Sequence, residues 1–489
     1  MRSPLCLALV GLLSLSCLSD PAFAARCGTG LRADKPDRFT PLRPAPRDGA
    51  YRAVAPVPTQ GAHVLATEHF RVLWGDAHDP SDPQWADPDG DGTPTWVEEL
   101  ADALETSYDT QMGLGFPEPY GSDRYYLDAY VANTGVRIYD ERSGTWHAVT
   151  VGSSFYAYTE IDSEYEVAYF VFNDDFSLHT TDELGVLRAT AAHELFHAVQ
   201  RADYPWDDEV AVPDARWEQE GWWMEASATW MEEVCQPQVD DYAAYVQYFL
   251  ATPEEALNST DGLREYGAAI FAGYLWLYHG GEALWRETFR NAFAEGLERA
   301  LDGALTGAGR PTLDQVVPAF WSLAAHPEDA WPDGEAFRAG GGPKLLLSSS
   351  ELPLVVATSS ADAPGRYGAN LVRIDRFEGV LEGGIPQSDP GAEWRLAVSA
   401  EDTGAAEVFA PPVGEGTVPL WGDGSRPTYI AVVNISAGAG SDTSYRAYRA
   451  LFTGPDGGAD PAASAAESPS GEASSGGGGG CFLRTLSAP

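Results

Sequence analysis

The chain is nearly without lysine. Of its 489 residues only Lys35 and Lys344 are lysines, and 30 basic residues stand against 73 acidic ones, for a formal net charge of −43. A surface so poor in positive charge repels phosphate backbones and anionic lipid, which argues against nucleic-acid and phosphate-binding roles. Cysteine is scarce too, with five residues at positions 6, 17, 27, 235 and 481. Beyond the first residues no apolar run approaches the roughly 20 residues a helix needs to cross a bilayer. No repeat of the length that builds solenoids is apparent.

What is present begins with MRSPLCLALVGLLSLSCLSDPAFAA. Arg2, the apolar run from Leu5 to Leu15 and the small-x-small Ala22-Phe23-Ala24 predict a cleaved export signal over 1–24. A lipoprotein signal at Cys17 fits less well, because Ser14 stands where an apolar residue is wanted. The mature protein is then exported and soluble, with Cys27, Cys235 and Cys481 left. An odd number in an oxidising compartment predicts one bridge, Cys27–Cys235, and one thiol with another fate.

Residues 25–60 are rich in Pro and Arg and read as an extended lead-in. The stretch 61–338 mixes both periodicities. Strand-like runs stand at 63–74, Arg124–Val131 and Tyr165–Phe172, and helical patterns at Val97 to Met112, around 183–200, and from Trp217 to about Ala300. Past Ala339-Gly-Gly-Gly-Pro343 the character changes. Short Val/Leu/Tyr runs such as LPLVVATSS, EWRLAVSA and TYIAVVNIS, split by Gly, Pro, Asp and Ser, predict an all-β sandwich-like domain over 344–453. The remainder, 454–489, has too little apolar content to fold and carries Cys481 after five glycines, as a disordered end or a surface-attachment segment would. The expected fold class is thus α+β followed by all-β.

The stretch TAAHELFHAVQ, Thr190 to Gln200, carries the chemistry. Thr180 and Glu183 stand in a capping-box relation before it, and Leu184, Leu187, Ala191, Leu195 and Ala198 form one apolar stripe. His193 and His197, four apart, project from one face a turn apart, where both reach one cation. Glu194 sits one residue round, turned from coordination but near enough to take a proton from water. Three fixed residues in five is a weak pattern, and the bland alternative is two histidines on a core helix.

A two-histidine site needs a third protein ligand. Downstream, Trp222-Trp-Met-Glu-Ala-Ser-Ala-Thr-Trp230 resembles the W-x-x-E-G-x-A-x-[YW] element of gluzincin metallopeptidases, with Ala226 where Gly is usual. The resemblance implies zinc held by His193, His197 and Glu225. Glu220, in the earlier Glu-Gly pair, is the competing assignment, and the stretch YPWDDEVAVPDA reads as an insertion. Five pieces in order are similar to a group of secreted bacterial metallopeptidases known mainly from genomes: EHFR, DPDGDGTP, HELFHAVQ, WWMEASATW and YGAAIF. They span about residues 63–335 and imply a zincin-like fold with a peptide or protein substrate. The same resemblance offers Tyr266 as stabiliser of the oxyanion, with a packed core tyrosine as the plain alternative and His279 as a weaker candidate. Trp222, Trp223 and Trp230 read as core.

Asp87-Pro-Asp-Gly-Asp-Gly-Thr-Pro-Thr-Trp-Val-Glu98 matches the twelve-position calcium loop. Asp87, Asp89, Asp91, Thr93 and Glu98 fall at ligand positions, and Gly92 at the sharp bend. Pro94 replaces the customary β-branched residue and no helix precedes the loop, so an acidic turn that caps the next helix is the alternative. The expectation is a secreted zinc peptidase with a structural calcium. The rival from another class is a catalytically inactive scaffold serving as a surface binding or adhesion protein.

Overall fold

The computed structural model describes residues 26–27 and 59–454, except 80, 141–142, 163–164, 178–179, 181, 204–212, 340, 360, 376–377, 402–403, 412, 415, 424–425 and 437–444. The export signal with Cys17, most of the lead-in, most of the expected insertion and the tail with Cys481 lie outside the described residues. Strands β1 (Arg26–Cys27), β2 (Thr59–Gln60), β3 (His63–Ala66) and β4 (Phe70–Trp74) precede helix α1 (Thr95–Gly113). Then come β5 (Leu127–Val131), β6 (Arg137–Asp140), β7 (Thr145–Ala148), β8 (Phe155–Asp162) and β9 (Val167–Phe172). A helical half follows: α2 (Glu183–Asp203), α3 (Pro213–Cys235), α4 (Ala243–Ala251), α5 (Arg264–Gly267), α6 (Ala269–His279), α7 (Gly281–Glu295), α8 (Leu297–Gly307), α9 (Leu313–Ala324) and α10 (Gly334–Ala339).

The first sheet has the order β1-β8-β9-β5-β4-β3. β4, β5 and β9 run parallel, and every residue of β5 and β9 is buried, as expected of central strands covered on both faces. One face packs Phe70, Val72, Phe170 and Phe172 against Leu100 and Leu104 of α1 and Leu187 and Leu195 of α2. β8 runs antiparallel to β9. The small sheet β2-β6-β7 stands apart.

A second core lies among the helices, around Trp223, Trp285, Phe320 and Trp321. α3 comes close to α6 because residue 273 is glycine: a Cβ there would meet the Trp230 ring at 2.5 Å. The chain then becomes β-rich. β10 (Leu347–Ser349), β11 (Leu354–Ala357), β12 (Ala369–Ile374), β13 (Glu378–Ser388), β14 (Trp394–Ala400), β15 (Glu407–Phe409), β16 (Val418–Asp423), β17 (Thr428–Asn434) and β18 (Tyr448–Thr453) form two sheets. Their orders are β10-β12-β17-β14-β15 and β11-β18-β13-β16. Both sheets feed one core, with Val372, Leu396 and Ile430 from the first and Leu381, Leu420 and Phe452 from the second. The overall class is α+β, with a helical part and a β-rich part. No described helix is long and apolar enough to cross a membrane.

Several boundaries differ from the sequence reading. α1 starts at Thr95 rather than Val97, and β5 and β9 start later than the runs that announced them. The expected Thr180–Glu183 capping box is not the start of α2. Asp182 does the capping: its Oδ1 accepts from the Gly185 N–H at 3.1 Å, while Thr180 Oγ1 accepts from the Asp182 N–H. Gly185 is needed for this, since a Cβ would sit 2.2 Å from the Asp182 carboxylate. The expected Cys27–Cys235 bridge is also not formed. Cys235 is a free, buried thiol beside Gln111 Nε2, and burial pushes its pKa up to about 12.

Candidate metal centre

α2 and α3 lie against each other and bring three side chains together. His193 Nε2 is 3.1 Å from His197 Nε2 and 3.2 Å from Glu225 Oε2, and His197 Nε2 is 3.6 Å from the same oxygen. All three residues are buried, with exposures of 3 %, 5 % and 1 %. Donor atoms around one tetrahedral ion at about 2.0–2.1 Å stand about 3.3 Å apart. The three separations bracket that value.

The hydrogen bonds behind the cluster fix what each imidazole presents. His193 Nδ1 lies 2.6 Å from Glu232 Oε1, an acceptor when ionised, so Nδ1 carries the proton. His197 Nδ1 lies 2.9 Å from Gln200 Oε1. The Gln200 amide cannot be turned round, because its Nε2 donates to Met224 O and to Ser227 Oγ, each at 3.0 Å. His197 Nδ1 therefore donates as well. Two neutral imidazoles tied in this way aim unprotonated Nε2 atoms at each other and at a carboxylate. Three converging lone pairs repel unless a cation or an added proton lies among them. Glu225 Oε1 is also buried with no hydrogen-bond partner. The donor set, two imidazoles and one carboxylate with ordered groups behind them, could hold a metal ion.

Burial raises the Glu225 carboxyl, but positive charge on His197 and His193, the added proton that stands in for a cation, takes it down to about 2. Burial raises the Glu232 carboxyl against the opposing bond to His193. Glu194, fully buried, accepts from Thr159 Oγ1 at 2.7 Å through Oε2. Thr159 belongs to β8, so the strand beside α2 sets the orientation of that carboxylate. Tyr266 of α5 is buried at the same place, its ring 6.1 Å from the His193 ring and 5.3 Å from Tyr245.

Two other candidates fall elsewhere. Glu220 caps the start of α8, accepting from the Leu297 N–H at 3.3 Å, and burial raises its pKa to about 7. Of Glu220 and Glu225, it is Glu225 whose carboxylate lies among the histidines. His279 closes α6 with its ring against Tyr274, 4.9 Å between centroids, and is not part of the cluster. Trp222, Trp223 and Trp230 are core residues, as expected. Glu232, Gln200 and Thr159 were not singled out from the sequence. Gln200 stands three residues after His197, and Glu232 seven after Glu225, both at helical spacing from a ligand, which was the available signal.

The acidic loop brings Asp87, Asp89 and Asp91 together on the surface. Asp87 accepts from the Gly90 and Gly92 N–H groups at 2.7 and 2.9 Å, and Asp91 from Thr93 N–H at 2.8 Å. Gly90 and Gly92 have φ of 78° and 98°, a backbone only glycine adopts freely. Bonds from Gly92 first, opposed by burial and helped by Gly90, lower the Asp87 carboxyl. Glu98 is raised, by burial and then by facing Asp89, Asp91 and Asp87.

The chain matches no protein-family model and no curated protein. Among solved structures it aligns with the CUB2 domain of MASP-1 bound to Ca2+, at 14 % identity over 23 % of this chain and 100 % of that one, TM-score 0.15. It also aligns with a family GH115 4-O-methyl-α-glucuronidase specific for decorated arabinogalactans, at 11 % identity over 55 % of this chain and 31 % of that one, TM-score 0.15. Likeness at that score carries nothing about fold or function.

Proposed function

We propose that the protein is an exported zinc-dependent peptidase, with His193, His197 and Glu225 holding the metal. The observation that carries this is the meeting of three buried lone-pair donors whose histidines are both tied from behind by proton acceptors. When bound, zinc supplies a Lewis acid that polarises a carbonyl and lowers the pKa of water to about 7. Glu194 takes the proton of the attacking water at its carboxylate and returns it to the leaving amine, and Thr159 holds that carboxylate in place. Glu232 and Gln200 keep the two imidazoles in the tautomer that leaves Nε2 bare. Tyr266, its ring 6.1 Å from the His193 ring, is the candidate to stabilise a developing oxyanion. A sheet carrying an antiparallel strand beside the metal helix, above a helical half, supports reading the domain as zincin-like.

The test separates base from ligands. Glu194→Gln removes the proton acceptor and no ligand, so zinc stays near one per chain while hydrolysis of an unfolded protein substrate falls by about 10² or more. Full hydrolysis by that variant, or wild-type protein without zinc, refutes the reading. For the loop we propose a structural calcium on Asp87, Asp89, Asp91 and Glu98, with the Thr93 carbonyl as a further oxygen. The crowding that raises Glu98 supports it.

A further inference from the structure

Arg264 has no part in the reading so far, yet its side chain is fully buried two residues before Tyr266 on α5. All the hydrogen bonds of its guanidinium go to the stretch 249–256. Nε donates to Ala256 O at 3.0 Å, Nη1 to Thr252 O and Thr252 Oγ1 at 2.9 Å each, and Nη2 to Glu255 O at 2.8 Å, with a longer bond from Nη1 to Phe249 O. No carboxylate oxygen is among these acceptors, and the guanidinium lies 4.3 Å from the centroid of the Phe249 ring. Burial takes its pKa down to about 10, against attraction from Glu255 and Asp261. A cation buried in this way is costly, and the acceptors that offset the cost lie at the end of α4, whose last carbonyls have no partner within the helix. α5 is a single turn, too short to hold its own orientation. It seats on α4 at two further points: Gly267, where a Cβ would meet Tyr245 O at 2.4 Å, and Tyr266 itself, whose ring lies against Tyr245. The β-rich part holds the same stretch from its other side. Lys344 N–H donates to Leu250 O, Ala369 N–H to Pro253 O and Gly365 N–H to Glu254 O, and Leu257 N–H donates to Arg366 O.

We propose that Arg264 is the positioning residue for Tyr266: its planar fork fixes α5 on the end of α4 and so keeps the tyrosine beside His193. This rests on the peptidase reading above, in which Tyr266 stabilises the oxyanion. Arg264 itself touches no reacting atom. N–H donors in a rigid fork set angle as well as distance, which apolar packing between two short helices does not. An oxyanion donor acts best when it is already in place, and a displacement of about 1 Å costs on the order of 10² in rate. The β-rich part then belongs to the catalytic unit, because it holds the far side of the stretch that Arg264 grips.

The test is a double-mutant cycle on the full-length protein, with zinc content, kcat and KM measured for each member. Tyr266→Phe lowers kcat by about 10² with KM little changed. Arg264→Lys keeps the charge but not the fork, so zinc stays near one per chain and kcat falls about tenfold. In the Tyr266→Phe background Arg264→Lys costs no further activity, since the two residues act as one unit. Thr252→Val removes a single acceptor of the grip and keeps the cycle measurable if Arg264→Lys does not fold. It lowers kcat by about threefold when Tyr266 is present and not in the Tyr266→Phe background. Nitration by tetranitromethane, mapped by mass spectrometry, gives a readout besides activity. Buried Tyr266 reacts slowly in wild type and several times faster in Arg264→Lys, while the more exposed Tyr278 is unchanged. Losses that multiply in the cycle, or Tyr266 nitration that does not respond to Arg264→Lys, overturn the role of Arg264 and leave the peptidase reading standing. Full activity of Tyr266→Phe removes the tyrosine from the mechanism and this inference with it. Wild-type protein without zinc or hydrolysis overturns the peptidase reading itself.

Discussion

The buried centre between α2 and α3 and the surface loop at 87–98 are both clusters of metal-ligating side chains, yet they satisfy their polar atoms in different ways. In the loop the carboxylates accept from N–H groups of the same turn, Asp87 from Gly90 and Gly92 and Asp91 from Thr93. In the buried centre the back sides of His193 and His197 are tied by Glu232 and Gln200, and the front sides point at one another and at Glu225. All three residues are buried, and an uncompensated buried charge or lone pair is expensive. The same kinds of ligand atom therefore imply strong dependence on a cation in one place and weak dependence in the other.

The largest effect expected from this contrast is at Glu225. Glu225→Gln exchanges an anionic ligand for a weak neutral one, so zinc content measured by mass spectrometry and hydrolysis both drop by about 10² or more. Glu220→Gln, five residues earlier on the same helix, leaves zinc near one per chain, because that residue caps α8 instead. Zinc lost from the Glu220 variant and kept in the Glu225 variant would reverse the assignment and remove the contrast.

Glu220 and Glu225 also show how sign follows surroundings. Both are buried on α3, but positive charge on the facing His197 and His193 takes Glu225 down to about 2 against burial, while burial raises Glu220 to about 7 against the bond from the Leu297 N–H. A carboxyl raised on folding binds more protons in the native state than in the unfolded one between its unfolded value near 4.5 and about 7. Stability therefore falls as pH rises through that window. Glu233, raised to about 8 by burial and by Asp333, Asp240 and Glu232, extends the fall. Denaturation midpoints in urea should decline from pH 5 to pH 8, and Glu220→Gln should flatten the part below about pH 7. An unchanged slope in that variant means the Glu220 carboxyl is not the source.

Much of this centre was legible from residue order. Two histidines four apart with an intervening Glu, on a run free of Pro, require a helix that presents both rings together, and α2 does so. Glu225 could be picked from WWMEASATW, although the choice against Glu220 needed the fold, since two glutamates five apart on one helix look alike until a neighbour such as Leu297 is in place. Thr159 was hidden because β8 is buried on both faces over most of its length, which erases the alternation that announces a strand. α9 was hidden by Pro318 within it, and it persists because Val316, Val317, Phe320 and Trp321 are buried. The cysteine pairing failed for a simpler reason. Counting leaves which thiols exist, not which ones meet, and Cys235 ends in a tight apolar site beside Gln111.

The smallest effect belongs to the loop, and it sharpens the comparison from the other side. If Asp87, Asp89, Asp91 and Glu98 share a calcium ion, the ion stabilises the native chain by ordinary linkage, about 2.7 kcal/mol at a free concentration a hundred times its Kd. Chelation should then lower the melting temperature by a few degrees, and added calcium should restore it. Asp89→Ala removes one central oxygen and disturbs the backbone less than a change at Asp87, whose carboxylate holds two turns of the loop. That variant should melt at the same temperature with and without calcium while keeping zinc and hydrolysis, because the loop lies outside the buried centre. Indifference of the wild type to calcium would identify the loop as the self-satisfied start of α1. A loss of zinc on Asp89→Ala would show that the two clusters are linked, and would end their treatment as separate solutions to the same problem.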